Sequence, residues 1–431
     1  MISTLPETEV TEVTDWTVTS SNSPAAARSR IRVCMLAYAF YENDTRILQY
    51  ATALAQRADS VDVIALRRDS SMPAFEVLNG VNVYRIQMRT VNEKSKFTYA
   101  NRIFRFFIRA MWFMHRKHKQ HLYDAVHVHN VPDMLVFAAL YPKMKKVPII
   151  LDVHDLLPEF YASKFKISHS SMLYKLMMLG EKMSAAFADH VIVANDIWRD
   201  RLAARSSHDE KCSVVRNRPD LEIFTKQPGA FKRENGKFMM IYPGSLNWHQ
   251  GLDIAIRAFA SVEEQTPDTE FHIYGEGSAK PALIELANEL KQQGRIIFHD
   301  FLPSNEIAQV MATADLAIEP KRTKSEFSNE ALSTKIMEFF ALGVPVIACR
   351  TRIHAYYYDD SIIQYYEDDD ESQLASMMVR LRYDADVRSH LVENAKRYVE
   401  RNTWNVRKRE YLDLIDSLVR TGTLGNKARK R

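Results

Sequence analysis

Apolar residues along this chain fall into two alternating rhythms. Short runs rich in Val, Ile and Leu, bounded by Gly, Pro, Asn or Asp, are each followed by a longer stretch with helical spacing. In the first half the runs Arg32–Ala37, Val61–Leu66, Val81–Ile86, Ala125–Val128, Ile149–Val153, His190–Val193 and Ser213–Val215 read as strands. A polar, Gly-containing stretch at Gln227–Lys237 breaks the rhythm. It restarts with Phe238–Tyr242, Glu270–Tyr274, Ile296–His299, Leu316–Ile318 and Val346–Ala348. Strand, loop and helix in repetition predict an α/β fold. The economical arrangement is two doubly wound, Rossmann-like domains facing across a cleft, with ligands outside the carboxyl ends of the strands. The predicted boundaries are a disordered tail at 1–30, a first domain at 31–225 and a second at 236–400. A final helix follows at 401–421, for which a return to the first domain is one placement that periodicity leaves open.

The most informative stretch runs from Asn329 to Ala348. Its two acids, Glu330 and Glu338, are separated by a little over two helical turns, about 12 Å at 1.5 Å per residue. One carboxylate therefore fits a loop at a helix N-terminus and the other fits the helix body. Between them Ala331, Leu332, Ser333 and Thr334 fall where a first turn leaves backbone N–H groups unpaired, which suits an anionic ligand. A ligand with phosphate at its centre and hydroxyls at both ends, such as a nucleotide sugar, matches that layout. Three upstream strand ends carry loops of the same kind. Tyr242-Pro-Gly244 leads towards Gly251 at a helix start, Gly275-Glu-Gly277 follows the next strand, and Phe298-His-Asp-Phe-Leu-Pro303 precedes a helix that Ser304 can cap.

Composition narrows the class. With 431 residues, 46% hydrophobic and 26% charged, the chain is a soluble globular protein with room for two cores. Its 3 cysteines, Cys34, Cys212 and Cys349, lie in separate strand-like runs, which suits buried thiols in a reducing compartment. No zinc spacing, secretory signal or membrane-spanning run is present, and a cytoplasmic location is expected. Charge is uneven. Between Ile31 and Phe224 there are 28 Lys and Arg against 20 Asp and Glu, so the first domain is expected to face something anionic. The acidic run Glu367–Glu371 precedes a helix and is expected to cap it.

On these residues the second half resembles the donor-binding half of the retaining GT-B glycosyltransferases of family GT4. The likeness rests on Glu330-x7-Glu338, the following Ala341-Leu-Gly-Val-Pro-Val346, the Gly275-Glu-Gly277 turn and Ala314-Asp315. The first half is similar too, through Asp44-Thr-Arg46, Val126-His-Val-His129, Asp152-Val-His-Asp155, Asp189-His-Val-Ile-Val193 and Asn217-x-Pro-Asp220. The resemblance implies a nucleoside diphosphate sugar donor, no cofactor and no bound metal. It implies a catalytic set of His154, Glu330 and Lys335. In that set Glu330 meets the donor sugar's hydroxyls and His154 faces the reacting centre across the cleft. Glu338 is expected to hold the ribose. Gly244, Ser245, Gly275, Gly277, Leu302, Ala331, Leu332, Ser333 and Thr334 complete the donor pocket, while Asp44, Arg46 and His129 lie on the acceptor side. The alternation of His127 and His129 suits packing as well as function. Relatives carry Arg and Lys where this chain has Ser245 and Gln250. Lys335 is expected to replace one of those charges, and His249 part of the other.

One stretch falls outside the family pattern. Lys94–His121 contains eight Lys and Arg and no acid. On a helix, Arg102, Arg105, Arg109 and Arg116 gather within about 60°, with Phe106 and Phe113 among them, and Ile103, Phe104, Phe107, Ile108, Met111 and Met114 on the core side. Together with Trp112 this face is expected to meet an anionic membrane surface rather than nucleic acid. The expected activity is transfer of a hexose-type sugar to an acceptor hydroxyl. The acceptor is a lipid-linked one or a polysaccharide or glycolipid, and the enzyme is peripheral at the inner face of the cell membrane. A GT-B nucleotide-sugar epimerase and a catalytically impaired, membrane-associated scaffold remain alternatives. The sequence leaves the oligomeric state open.

Overall fold

A computed structural model describes residues 30–89, 96–165, 167–225, 236–324 and 326–428. Residues 1–29 and 429–431 lie outside the described residues. The first lobe opens with β1 (Arg32–Leu36), α1 (Thr45–Gln56), β2 (Ser60–Arg67), β3 (Phe75–Leu78), β4 (Val81–Met88) and α2 (Lys96–Gln120). After β5 (Ala125–His129) come a 3-10 segment (Asp133–Ala139), α3 (Leu140–Met144), β6 (Ile149–Val153), α4 (Leu157–Phe165) and α5 (Met172–Phe187). β7 (His190–Val193), α6 (Asp196–Ser206) and β8 (Cys212–Val214) complete this lobe.

The second lobe begins with β9 (Phe238–Pro243), α7 (Leu252–Ser261), β10 (Thr269–Tyr274), α8 (Lys280–Glu289), β11 (Ile296–His299) and α9 (Ser304–Met311). It continues through β12 (Leu316–Glu319), α10 (Glu326–Glu330), α11 (Thr334–Leu342), β13 (Val346–Cys349), α12 (Arg352–Tyr357) and β14 (Gln364–Tyr366). Three helices end the chain: α13 (Glu371–Tyr383), α14 (Ala385–Asn402) and α15 (Trp404–Ala428).

The two sheets have strand orders β3-β4-β2-β1-β5-β6-β7-β8 and β11-β10-β9-β12-β13-β14, parallel except for the β3–β4 pair. Each is a Rossmann-like doubly wound sheet, as expected. Parallel strands are buried on both faces, so they read as unbroken apolar runs. In β1, Cys34 and Leu36 enter the core beneath α2, α5 and α6, while Val33 and Met35 enter the core beneath α1 and α15. Strand order reverses between β1 and β5 in one sheet and between β9 and β12 in the other. These switch points are where open α/β sheets leave a crevice. α15 returns to the first lobe: the Tyr411 hydroxyl lies 3.0 Å from His127 Nδ1, and its ring stacks on Tyr50 at 4.1 Å.

Several local expectations change. β3 and β14 were not expected. β3 is an edge strand, and its turn, Asn79-Gly80, has positive φ at both residues (49° and 81°), the pairing that closes a two-residue hairpin. Ser304 is the first residue of α9 and does not cap it; Pro303 occupies the cap position. The acidic run does cap its helix, through Asp370 accepting from the Gln373 amide at 2.8 Å. Cys34 and Cys349 are buried thiols and Cys212 is half-buried.

The largest correction concerns α2. Phe106, assigned to a membrane face, is fully buried against Tyr38. Phe113 is half-buried on Tyr84, and Arg102 is half-buried too. The inward row is Phe106, Ala110, Met114 and His118, spaced four apart. That row rotates Phe104 and Ile108, expected in the core, out to solvent beside Arg105, Arg109, Trp112 and Arg116.

Candidate active site at the facing strand ends

The second lobe's wall is built by backbone proximity. A β-carbon on Gly275 (φ 140°) would stand 1.8 Å from the Gly244 carbonyl oxygen, and one on Gly277 would stand 2.2 Å from that of Leu246. The loops after β9 and β10 thus lie backbone to backbone, which only glycine permits. Gly275→Ala is expected to push these loops apart and to destabilise the protein by about 2 kcal/mol or more. Thermal unfolding checks this, and an unchanged midpoint would show that the loops yield freely.

Lys335 rises from α11 into the space these loops enclose. Its Nζ is 2.8 Å from Glu319, 4.0 Å from the Tyr242 ring centroid and 3.1 Å from where a Gly244 β-carbon would be. Burial opposes its charge, but Glu319 and Tyr242 outweigh burial and raise its pKa. Glu319 is held below the usual carboxylate range, because Lys335 overrides its own desolvation. Glu338, one turn further along α11 and on the same side, is pushed by burial up to about 7. Gly244, Ser245, Gly275, Leu302, Lys335 and Glu338 line a cavity of about 340 Å³. Ser333 precedes α11 in extended conformation and its side chain does not cap the helix.

The first lobe answers with a buried ion-pair network at the ends of β5 and β6. Asp152 is fully buried and receives Arg46 through both oxygens, at 2.8 and 2.6 Å. It also meets His129 Nδ1 and His154 Nε2, each at 3.1 Å. Arg46 donates from Nη1 to the Val215 carbonyl (2.5 Å) and to Asn217 (2.8 Å). Burial works against the charge on His154, but Asp152 overrides it and the imidazole pKa is raised; Asp152 is held well below its ordinary value by Arg46 and His154. His129 and His127 are instead lowered by burial. His127, His129 and Asp152 present ligand atoms within 4.8 Å of one another, but the Arg46 guanidinium already engages both Asp152 oxygens. His154 opens onto a cavity of about 280 Å³ with Asp44, Asn217, Thr334 and Glu338. Phe224, Ser304 and Glu338 line both cavities, so the His154 side and the Lys335 side adjoin across these three residues.

The expected site residues separate accordingly. His154, Lys335, Glu338, Thr334, Gly244, Ser245, Gly275, Leu302 and Asp44 share these two cavities, and Asp44 also caps α1 through the Ile47 amide. Arg46 walls one cavity but turns its donors inward, and His129 is buried beneath His154. Neither is placed to contact an acceptor. Gly277 serves loop packing, and the Ala331 amide is taken by the Phe327 carbonyl at 2.8 Å. Leu332 packs against the second core, and Ser333 is buried at the helix cap.

Glu330 lines neither cavity. Its carboxylate is bound by Arg201 of the first lobe at 2.6 Å and by Arg352 at 2.9 Å. Its carbonyl accepts from Asn195 at 3.0 Å, and neighbouring Phe327 packs on Phe160 and Trp198. α10 is thus a contact between the lobes. His249 cannot supply a second charge, because burial with Lys321 and Lys335 nearby lowers its pKa to about 4.

Lys321 was not expected. It follows β12 at the switch point, is buried, and donates from Nζ to the Ala331 carbonyl at 2.5 Å. Burial lowers its pKa to about 8, still leaving it largely charged at neutral pH. A lysine in an irregular post-strand loop carries no periodic signal. The only cue was its place two residues after an acidic strand end.

Two family models match the chain: one described as glycosyl transferases group 1 over residues 224–398, and one described as glycosyl transferase 4-like domain over residues 44–218. A Salmonella typhimurium protein provisionally named as a colanic acid biosynthesis glycosyltransferase is 27% identical over 160 residues, which is 37% of this chain and 39% of that protein. The match thus spans well under half of that relative's length. Alpha-monoglucosyldiacylglycerol synthase of Acholeplasma laidlawii is 22% identical over 320 residues, 70% of this chain and 78% of the relative. Among solved structures, sucrose-phosphate synthase from Thermosynechococcus elongatus superposes with a TM-score of 0.74 at 16% identity, covering 91% of this chain and 100% of that one. Anabaena HepE in complex with UDP-glucose gives 0.66 at 14% identity, covering 90% and 100%.

Proposed function

The chain belongs to the group 1 glycosyltransferases of GT-B architecture, and from that premise we propose that it moves a hexose-type sugar from a nucleoside diphosphate sugar to an acceptor hydroxyl with retention at the anomeric carbon. The observation that carries this reading is that the two cavities adjoin, with Lys335 in one, His154 in the other and Glu338 in both. The ribose lies at Glu338 and the diphosphate between the Gly244 loop and the start of α11, whose unpaired amides and positive end favour an anion.

In this scheme the bond from the anomeric carbon to the β-phosphate oxygen breaks on the face where the acceptor oxygen bonds. The acceptor's proton passes to the departing phosphate oxygen. Lys335 meets the developing negative charge, and Lys321 adds a second positive charge from the switch point, so the diphosphate needs no metal ion. His154, fixed by Asp152, orients the sugar. The Glu330 carboxylate reaches the sugar only after parting from Arg201 and Arg352, and it is not a covalent nucleophile.

The acceptor enters over the first lobe, where Tyr38, Arg89, Tyr99, Asn130 and His154 line a further cavity of about 240 Å³. A lipid-linked acceptor is supported by the outward arginines and Trp112 of α2, and by a relative named for a glycosyldiacylglycerol.

The test is a thermal-shift panel of nucleoside diphosphate sugars. A true donor at about 100 times its Kd stabilises by about 2.7 kcal/mol. Nucleoside diphosphate should then be released only when acceptor is added. Conversion of the nucleotide sugar to its epimer with no net release of nucleoside diphosphate would favour an epimerase. Stabilisation by no nucleotide would leave a scaffold, the reading that Ser245 and Gln250 otherwise invite.

A further inference from the structure

α5 has its two sides reversed. A helix on the surface of a water-soluble lobe turns its apolar residues inward. Here the inward side carries Glu181, Ser184 and Ala185, and Arg205 binds the Glu181 carboxylate at 2.9 and 2.6 Å. The outward side carries Met172, Leu173, Leu176, Leu179 and Met183, each more than half exposed. At 100° per residue these five fill an arc of about 120°, with Lys175 and Lys182 along one border. Isolated exposed hydrophobics need no account, but a continuous stripe does.

The neighbouring element repeats the pattern. α2 and α5 both pack on the Asp133–Ala139 segment, in the layer on the sheet face opposite α1 and α15. Outward from that layer, α2 shows Phe104, Ile108 and Trp112 at four-residue spacing, and Met134 of the intervening segment is exposed as well. The charges there are of one sign. α2 has no acid, and the single acid of α5, Glu181, is buried.

We propose that α5, with the outer stripe of α2, docks the first lobe onto an anionic phospholipid bilayer. The leucines and methionines enter the headgroup–acyl boundary, and Lys175, Lys182 and the α2 arginines lie on lipid phosphates. A second copy of the chain fits less well, because a two-fold contact would set Lys175 and Lys182 against their own copies with no acid between. No described helix is long and apolar enough to cross a membrane, so the contact is a surface one. Tyr99, near the start of α2, lines the cavity that opens on His154, so docking would bring that entrance towards the lipid. This deepens the membrane side of the proposed function and does not depend on the donor.

The test is co-sedimentation of the full chain with vesicles of mixed phosphatidylglycerol and phosphatidylcholine, against phosphatidylcholine alone. The wild type should partition onto the anionic vesicles. Leu176→Gln with Met183→Gln should weaken that partition by about tenfold or more, while nucleoside diphosphate binding stays unchanged. Lys175→Gln with Lys182→Gln should weaken it on anionic vesicles only. Three results would overturn the proposal: no wild-type partition onto anionic vesicles, unaltered partition of the Leu176/Met183 variant, or a wild-type dimer in sedimentation equilibrium that this variant converts to monomer. Because nucleotide binding is read in the same samples, a lost donor site and a lost docking face give different results.

Discussion

Asp152→Asn should destabilise the first lobe more than any other single substitution at the site. The carboxylate is fully buried and meets Arg46, His129 and His154 together. Asn removes the charge and turns an amide donor towards groups that are themselves donors. Arg46, itself buried, is then left as an unpaired cation, and breaking one partner of a buried pair costs about 3–5 kcal/mol. A fall in unfolding midpoint on the order of 10 °C follows for a lobe of this size. Turnover should fall as well, because the same carboxylate raises the pKa of His154 and fixes its ring. The two effects are separable. Arg46→Met added to Asp152→Asn removes the orphaned guanidinium and should recover much of the stability, yet none of the turnover. If Asp152→Asn melts with the wild type, the network is not what holds this strand end.

The sheet rhythm was legible because parallel strands buried on both faces leave no polar alternation to confuse the reading. β3 escaped because it lies at the edge with Phe75 and Val77 exposed. Its local cue, Asn79-Gly80, needed to be weighed as a hairpin turn. In α2 the wheel placed Arg105, Arg109 and Arg116 outward correctly but set the inward face too far round, taking in Phe104 and Ile108 and leaving out Phe106. The small Ala110 among bulky neighbours marked the side of close approach, and Phe106 and Met114 follow from it. The loops after β9 and β10 were legible through their glycines, although Gly275 and Gly277 are there for loop-on-loop packing. What could not be read from sequence were pairings that no local pattern marks. Glu330 with Arg201, Asp152 with Arg46, and Lys321 beside Ala331 join residues that only the fold brings together.

The largest effect on turnover is expected at the positive charge proposed to face the diphosphate. Lys335→Met is expected to lower turnover by about 10²- to 10³-fold, the usual cost of deleting a group that stabilises developing charge. It should also weaken nucleoside diphosphate binding while leaving the free nucleoside unaffected. The single variant carries a structural cost too, because Glu319 loses its partner in a buried place. Lys335→Met with Glu319→Gln removes that cost and restores the net charge of the group formed with Lys321. Stability should return in the double variant but turnover should not, since it is the Lys335 ammonium, close to Gly244, that projects into the cavity. Lys321→Met should give a smaller loss of the same kind, confined to diphosphates, because its ammonium acts from beside Ala331 rather than from the cavity wall. Recovery of turnover in the double variant would mean that Lys335 only balances Glu319. The diphosphate charge would then fall to Lys321 and the start of α11.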